Sequence, residues 1–437
     1  MAKAGLIRQA RKAFALLLGP GVMRAGEAVL LVGVSMALVR VMSVGDFGRF
    51  SFLFAAVRLF CVPMVQGTSN LLVREVPRHI RLGEDGEAHH AVRWSTRAAL
   101  LWVIPASIAT LLTFCLSKLF DGEVPWLATA VLVLAFCLSG PFTGAARSLK
   151  MPAFAMLPAS VLAPVIFVAC LYPVWQSGSV IDWNLAALLR GAIFLSAVVF
   201  AFAAIAYSAR GKAIRRTPPS STPISTRMLI PFAVVGTLQY FNQQAGTLIA
   251  GFTTDEEAVA LYRAAAQFAA VLSMVPATIN LVAMPYISES AQLDAPEKTR
   301  KILFRAMAGT WACTAIGLLA MILVGEWLLA TAFGAAFAPA YQALLILCAG
   351  TAFASGGAFT LAYLNLSGRQ KRLMIAVVLS ALLQVVLSLM LVGPFGIEGI
   401  AAAATIALSL NAVVTIAMAL RALKPDPDSP ANRTEQT

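Results

Sequence analysis

The chain has 437 residues, of which 59% are hydrophobic and only 12% are charged, with a formal net charge of +13. Soluble domains carry about 25% charged residues, so this composition excludes a soluble globular protein and predicts an integral membrane protein. The six cysteines and three histidines show no metal or nucleophile spacing. We therefore expect no metal, no cofactor and no enzymatic activity.

A helix that crosses the lipid core needs about 20 apolar residues. By this measure the sequence predicts an all-α fold with twelve transmembrane helices. In chain order, the predicted spans are 19–40, 47–70, 95–117, 125–146, 152–173, 184–208, 228–252, 258–287, 305–327, 339–364, 373–393 and 398–421.

The basic residues predict the orientation of these spans. With the N-terminus inside, 26 of the 33 lysines and arginines fall on the N-terminus and the loops after even-numbered spans. Four fall on the opposite side, namely Arg40, Arg49, Lys118 and Arg263, and three fall within spans. Cytoplasmic loops carry an excess of Lys and Arg, so both termini are predicted to be cytoplasmic. This asymmetry explains the net charge without nucleic-acid binding.

The spans divide into two predicted lobes of six helices. The lobes are 1–208 and 228–421, joined by a polar cytoplasmic linker at 209–227 and followed by a disordered cytoplasmic tail at 422–437. Pro20 matches Pro231 at an offset of 211, and Phe50 matches Tyr262 at an offset of 212. Six spans per lobe give both lobes the same orientation, which predicts a pseudo-two-fold axis along the membrane normal.

Four ionisable groups lie inside predicted spans, where they are costly and are usually functional. Arg58 is central in the second span, and Ser51, Arg58 and Ser69 share one face with Gln66 close by. A buried polar clamp between helices is the alternative role for Arg58. Arg190 lies nearer a span end and can snorkel to the interface.

The first span carries Arg24 and Glu27. Arg24 is one turn from the cytoplasmic boundary, so it is either a binding residue or a snorkelling side chain with Glu27 as its neutralising partner. Glu27 is also a candidate for coupling to H+ or Na+.

Two spans of the second lobe also carry amides. Gln239, Asn242 and Gln243 share a face of the seventh span, and Gln267 and Asn280 lie in the eighth. These residues predict a polar cavity lined by spans one, two, seven and eight. Interhelical hydrogen bonding is the alternative role for the amides.

The segment "VRVMSVGDFGRFSFLFAAVRLFCVPMVQGTSNLLVREV" (39–76) resembles the first two spans of bacterial polysaccharide and O-antigen flippases. The segment "LYRAAAQFAAVLSMVPATINLVAMPYISES" (261–290) resembles the matching helix of their second half. These flippases belong to the multidrug/oligosaccharidyl-lipid/polysaccharide exporter superfamily. The resemblance extends over essentially the whole chain as hydropathy and scattered motifs.

The resemblance implies a multi-pass protein of the bacterial inner membrane that flips undecaprenyl-diphosphate-linked oligosaccharides by alternating access. It implies a cationic central cavity for the diphosphate, a role that Arg24 and Arg58 fit, with Arg190 as a weaker candidate. Its partners would be the lipid-linked oligosaccharide, membrane lipids and the polysaccharide polymerase or assembly machinery. The alternatives are a multidrug or other lipid-precursor exporter of the same fold, and a membrane-embedded polysaccharide polymerase or ligase.

Overall fold

A computed structural model of the chain describes residues 26, 29–210, 229–280, 283, 287, 296–366 and 370–423. These residues form helices joined by short turns, and none of them forms a strand. The predicted all-α fold is confirmed. Of the ionisable residues predicted inside spans, Arg24 and Glu27 lie outside the described residues.

The first part of the chain forms seven helices. They are α1 (Val29–Val39), α2 (Val44–Leu82), α3 (Asp85–Cys115), α4 (Trp126–Ser148), α5 (Pro152–Leu157), α6 (Ala163–Gln176) and α7 (Trp183–Arg210). A single π-helical turn at Pro158–Leu162 joins α5 to α6.

The second part contains the helices α8 (Ile230–Thr253), α9 (Glu256–Leu272), α10 (Pro296–Phe333), α11 (Tyr341–Ala354), α12 (Gly357–Leu366) and α13 (Gln370–Ala422). A 3-10 turn at Ala335–Ala340 precedes α11. The element α13 covers two predicted spans and consists of two helices that meet in a kink at Gly396, whose backbone is non-helical, with φ 55° and ψ −132°.

Within the described residues, nine helices are long and apolar enough to cross a membrane. The chain is therefore a multi-pass membrane protein. Helix α8 is not among the nine although it has 24 residues, because its run of amides lowers its hydropathy. The count of twelve spans, the six-plus-six division and the cytoplasmic termini stay predictions.

The described residues divide into two compact units. The first unit comprises Val29–Ala264 with Thr331–Phe337, and the second contains the described parts of Ala265–Ala330 and Ala338–Thr437. Helix α8 packs against α2 inside the first unit. The lobe boundaries predicted from the sequence differ from these units, and the lobes stay a prediction.

Helix α2 is the central element of the first unit, and it packs against α3, α4 and α8. Ser43 caps its start by accepting a hydrogen bond from the Asp46 amide at 3.0 Å, which satisfies one free amide of the first turn. Gly83 ends the helix in the left-handed region at φ 74°, where glycine has no steric penalty.

The packing of α4 on α2 depends on two glycines. A Cβ at Gly140 would lie 2.7 Å from the Cα of Val65, and a Cβ at Gly144 would lie 2.8 Å from the Cα of Ser69. Small residues four positions apart let two membrane helices approach backbone to backbone. This approach brings the side chains of α4 beside the polar face of α2.

Ion pairs of Arg49 and a hydrogen bond of Lys118 connect the loop after α3, the end of α8 and the start of α9 around the amino-terminal end of α2. Arg49 Nη1 lies 2.6 Å from Asp121 Oδ2, and Arg49 Nη2 lies 3.5 Å from Glu256 Oε1. Lys118 Nζ donates to the Thr253 carbonyl at 2.8 Å. A Cβ at Gly48 would overlap the Glu256 carbonyl, so α2 and the start of α9 are in close contact at this end.

Candidate functional site

Arg58 lies between two aromatic rings inside the first unit. Its guanidinium carbon is 5.6 Å from the ring centre of Phe136 on α4 and 5.2 Å from that of Tyr240 on α8. Arg58 follows the start of α2 by 14 residues, or about 21 Å along the helix axis. The cation is therefore held deep in the helix bundle by cation–π contacts from two neighbouring helices.

Arg190 is a second cation, and it is more deeply buried than Arg58. It lies on α7 with 8% of its surface exposed, and its guanidinium carbon is 5.0 Å from the ring centre of Phe167 on α6. Its Nη1 is buried and has no hydrogen-bond partner among the described residues. Snorkelling, the alternative role considered for this residue, would have placed the guanidinium in an exposed position.

Arg263 is a third cation. From the sequence it was predicted to lie with Arg40, Arg49 and Lys118 on the non-cytoplasmic side of the membrane. In the structure it lies two turns into α9, and its Nη1 donates to Gln244 Oε1 of α8 at 2.8 Å. Neither Arg263 nor Gln244 was a predicted site residue. Its position inside the predicted span 258–287 could have identified Arg263 as a charged residue within the membrane.

These three residues form what we call the arginine cluster: Arg58, Arg190 and Arg263. Arg58 is close enough to both Arg190 and Arg263 for mutual electrostatic repulsion. Over the described ranges, no carboxylate lies within 4.0 Å of any of the three guanidinium groups. Arg49, in contrast, contacts two carboxylates. The cluster thus has uncompensated positive charge within the described structure.

The predicted polar face of α2 is partly buried in the structure. Ser51 and Ser69 are 5% and 2% exposed, and Ser69 Oγ has no partner among the described residues. Arg58 is half-buried, and Gln66 is exposed. The side chain of Gln66 packs over Gly236 of α8, because a Cβ at Gly236 would lie 2.7 Å from Gln66 Cγ.

The amides of α8 separate into two groups. Gln239 and Gln243 are exposed, whereas Asn242 is half-buried and has an interaction partner. Tyr240 is buried and Gln244 is half-buried; with their spacing of four residues they share the face toward the arginine cluster. The structure therefore brings Gln244, and not the predicted Gln239 and Gln243, against a cluster arginine.

The other predicted site residues lie elsewhere. Gln267 and Asn280 belong to the second unit. Gln267 is 3% exposed and has a partner, whereas the Oδ1 of Asn280 is buried without one among the described residues. Their role in binding stays a prediction.

The chemistry of the arginine cluster favours an anion. Each guanidinium presents several N–H donors in a planar fork that matches phosphate oxygens. The rings of Phe136, Phe167 and Tyr240 exclude water from the guanidinium faces, which strengthens a charge-assisted hydrogen bond. In the described ranges, no group of three or more His, Cys, Asp or Glu side chains could hold a metal ion.

Because Arg190 is buried without a carboxylate partner in the described structure, its charge is expected to lower the stability of the protein. Replacing Arg190 by methionine keeps a long side chain but removes a buried cation and its repulsion with Arg58. We expect the thermal denaturation midpoint of the detergent-purified protein to rise by about 2–4 °C. Sodium diphosphate should raise the midpoint of the unmodified protein more than that of Arg190→Met.

Arg49→Met is the matched control for this experiment, because it leaves Asp121 without its ion-pair partner and should lower the midpoint. A fall in the midpoint of Arg190→Met equal to that of the control would show that Arg190 is a structural clamp.

Solved structures with the same fold are transporters. The chain superposes on an inward-facing multidrug resistance MATE family transporter of the MOP superfamily with a TM-score of 0.73, at 14% identity, over 91% of this chain and 94% of the other. An outward-facing transporter of the same family gives a TM-score of 0.65, at 15% identity, over 95% and 94%. A MOP superfamily transporter from Pyrococcus furiosus gives 0.64, at 14% identity, over 95% of each chain.

At these identities the similarity shows the fold, and the fold is that of the MOP transporters. No curated protein sequence is significantly similar to the chain. The family model described as "Polysaccharide biosynthesis protein" matches residues 22–291, which is more than half of the chain. This match confirms the family resemblance seen in the sequence, and the chain belongs to the polysaccharide biosynthesis protein family.

Proposed function

We propose that the chain is a flippase for undecaprenyl-diphosphate-linked oligosaccharides in the bacterial inner membrane. Its substrate is a repeat unit of O-antigen, capsule or exopolysaccharide, which it moves from the cytoplasmic to the periplasmic leaflet. The observation that carries this proposal is the arginine cluster. A cluster of cations without a carboxylate partner in the described structure suits an anionic headgroup better than any other class of cargo.

The physical difficulty of flipping a lipid-linked sugar is the transfer of its diphosphate through the apolar core. Charged groups at the bilayer centre are costly, and arginines offset this cost by bidentate, charge-assisted hydrogen bonds to phosphate oxygens. The lipid tail stays in the bilayer during transfer. Hydroxyl groups of the sugar bind amides, and the exposed Gln66, Gln239 and Gln243 offer such groups.

Alternating access requires contacts at one end of the helices that can open and close. The ion pairs of Arg49 and the hydrogen bond of Lys118 lie near the end of α2 that is opposite its basic segment, which contains Arg74, Arg78 and Arg81. In the predicted topology, with twelve spans and cytoplasmic termini, that end faces the periplasm. We propose that these contacts close the periplasmic side while the headgroup binds from the cytoplasm, and that the released product passes to the polysaccharide assembly machinery.

A multidrug exporter is the main alternative, since MATE family transporters share the fold. Organic cations would be repelled by the arginine cluster. For the Pyrococcus furiosus transporter, a reverse polarity of the binding pocket was taken to suggest a different function. A polymerase or ligase is disfavoured, because the predicted outer loops are short and contain no histidine.

Replacing Arg58 by alanine should abolish most of the transport. Removal of a charged donor from a buried site costs about tenfold or more in binding. In cells whose only copy is Arg58→Ala, complete undecaprenyl-linked units should accumulate on the cytoplasmic side, as measured by mass spectrometry of extracted lipids. Arg58→Lys should retain partial activity, since lysine keeps the charge but loses the bidentate geometry.

The matched control is Arg97→Ala, because Arg97 is an exposed arginine on α3. It should export normally at the same expression level. Normal glycan export by well-expressed Arg58→Ala would exclude Arg58 from the binding site and remove the main support for the proposal.

We propose Glu27 as the carboxylate that couples transport to H+ or Na+, and Arg24 as a further phosphate ligand near the cytoplasmic entrance. Both residues lie in the predicted first span. Glu27→Gln should make the transport rate in membrane vesicles independent of the ion gradient, measured with each gradient imposed separately. Unchanged ion dependence in Glu27→Gln would show that another group couples transport.

A further inference from the structure

We propose that the groove between α1 and α6 binds one anionic phospholipid. The acyl chain of the lipid fills the groove and its phosphate contacts Arg40. This site belongs to the first unit and contains no residue of the arginine cluster, so the inference is independent of the proposed transport function.

The groove is a cavity of about 260 Å³. Pockets for complete small-molecule ligands have volumes of about 300–1,000 Å³, so this cavity fits part of a ligand. Gly33, Met36 and Ala37 line it from α1, and Val168 and Leu171 line it from α6. These five residues have no hydrogen-bonding side chain, and an apolar chain is the ligand that this part of the groove accepts.

The groove is open because of a small residue on α1. A Cβ placed on Gly33 would meet no atom within 4 Å. On α4, in contrast, atoms of α2 occupy the space beside Gly140 and Gly144. Gly33 therefore leaves space that is not used for packing between the described helices.

The polar end of the groove has the composition of a membrane interface. Tyr172 and Trp175 are 53% and 48% exposed, and such half-exposed aromatic residues are enriched at the level of lipid headgroups. The guanidinium carbon of Arg40 lies 5.6 Å from the Trp175 ring centre. Gln176 Nε2 donates to the Tyr172 hydroxyl at 2.8 Å, which leaves the hydroxyl proton free to contact a phosphate oxygen.

The charge at this end selects an anionic headgroup. Arg40 is exposed, and throughout the described ranges no carboxylate lies within 4.0 Å of it. Ile181 N donates to the Val41 carbonyl at 2.7 Å, so the ends of α1 and α6 are held side by side and the cation stays above the groove. An apolar groove that ends in aromatic residues and one unpaired cation matches the two parts of an anionic phospholipid.

The test uses the full chain purified in a mild detergent and native mass spectrometry with phosphatidylglycerol or phosphatidylcholine of identical acyl chains. The unmodified protein should bind phosphatidylglycerol about fivefold more tightly, the contribution of one arginine near a lipid with a net negative charge, because the choline group of phosphatidylcholine neutralises its own phosphate. Arg40→Gln should lose this preference but keep binding at the phosphatidylcholine level. Arg40→Lys should restore the preference.

Gly33→Leu should lower the affinity for both lipids about tenfold, because the new side chain displaces about two buried methylene groups. Gly309→Leu is the matched control and should bind as the unmodified protein, since a Cβ at the exposed Gly309 also meets no atom within 4 Å. Unchanged lipid binding in both Arg40→Gln and Gly33→Leu would overturn the proposal. A dimer that is lost in Gly33→Leu, without a change in lipid affinity, would also overturn it and identify a second copy as the occupant.

Discussion

The central physical constraint in this protein is the placement of several arginines inside a bundle of apolar helices. Arg58 contacts the rings of Phe136 and Tyr240, and Arg190 contacts the ring of Phe167. Such contacts hold the guanidinium groups in place but do not neutralise them. An uncompensated buried charge destabilises the resting protein, and an anionic ligand bound at the cluster would offset this cost. We propose that an anionic headgroup supplies the missing charge during transport.

The arrangement of helices around Arg58 follows from close backbone approaches. Glycines of α4 bring Phe136 to α2, and Gly236 and Gly246 of α8 accept Gln66 and the Tyr262 hydroxyl in the same way. The ion pairs of Arg49 then hold the amino-terminal end of α2, and the hydrogen bond from Lys118 to the Thr253 carbonyl joins the loop after α3 to α8. The first unit thus combines tight packing of helices around the cations with polar contacts at one end, and the proposed alternating access depends on both features.

The membrane helices and the polar position of Arg58 could be predicted from the sequence. Hydropathy locates helices because lipid requires about 20 apolar residues per crossing, and helical spacing identified Arg58 as the polar centre of α2. Arg263 was counted with the outer basic residues because the start of a span is uncertain by a few residues. The roles of Phe136, Tyr240 and Phe167 could not be predicted, since aromatic side chains are common in apolar helices and only tertiary packing places them over a cation. The contact of Gln244 with Arg263 could not be predicted for a similar reason: α8 has amides at 239, 242, 243 and 244, and their spacing alone does not select Gln244.

The most direct test of the central claim is transbilayer movement in proteoliposomes that contain only the purified chain. The probe is a fluorescent oligosaccharide linked through a diphosphate to a polyprenyl chain, with dithionite reporting the fraction in the outer leaflet. We predict rapid movement with the unmodified protein and movement at the rate of empty liposomes with Arg58→Ala. Equal rates for the two proteins, or uptake of an organic cation with no movement of the diphosphate-linked probe, would contradict the account.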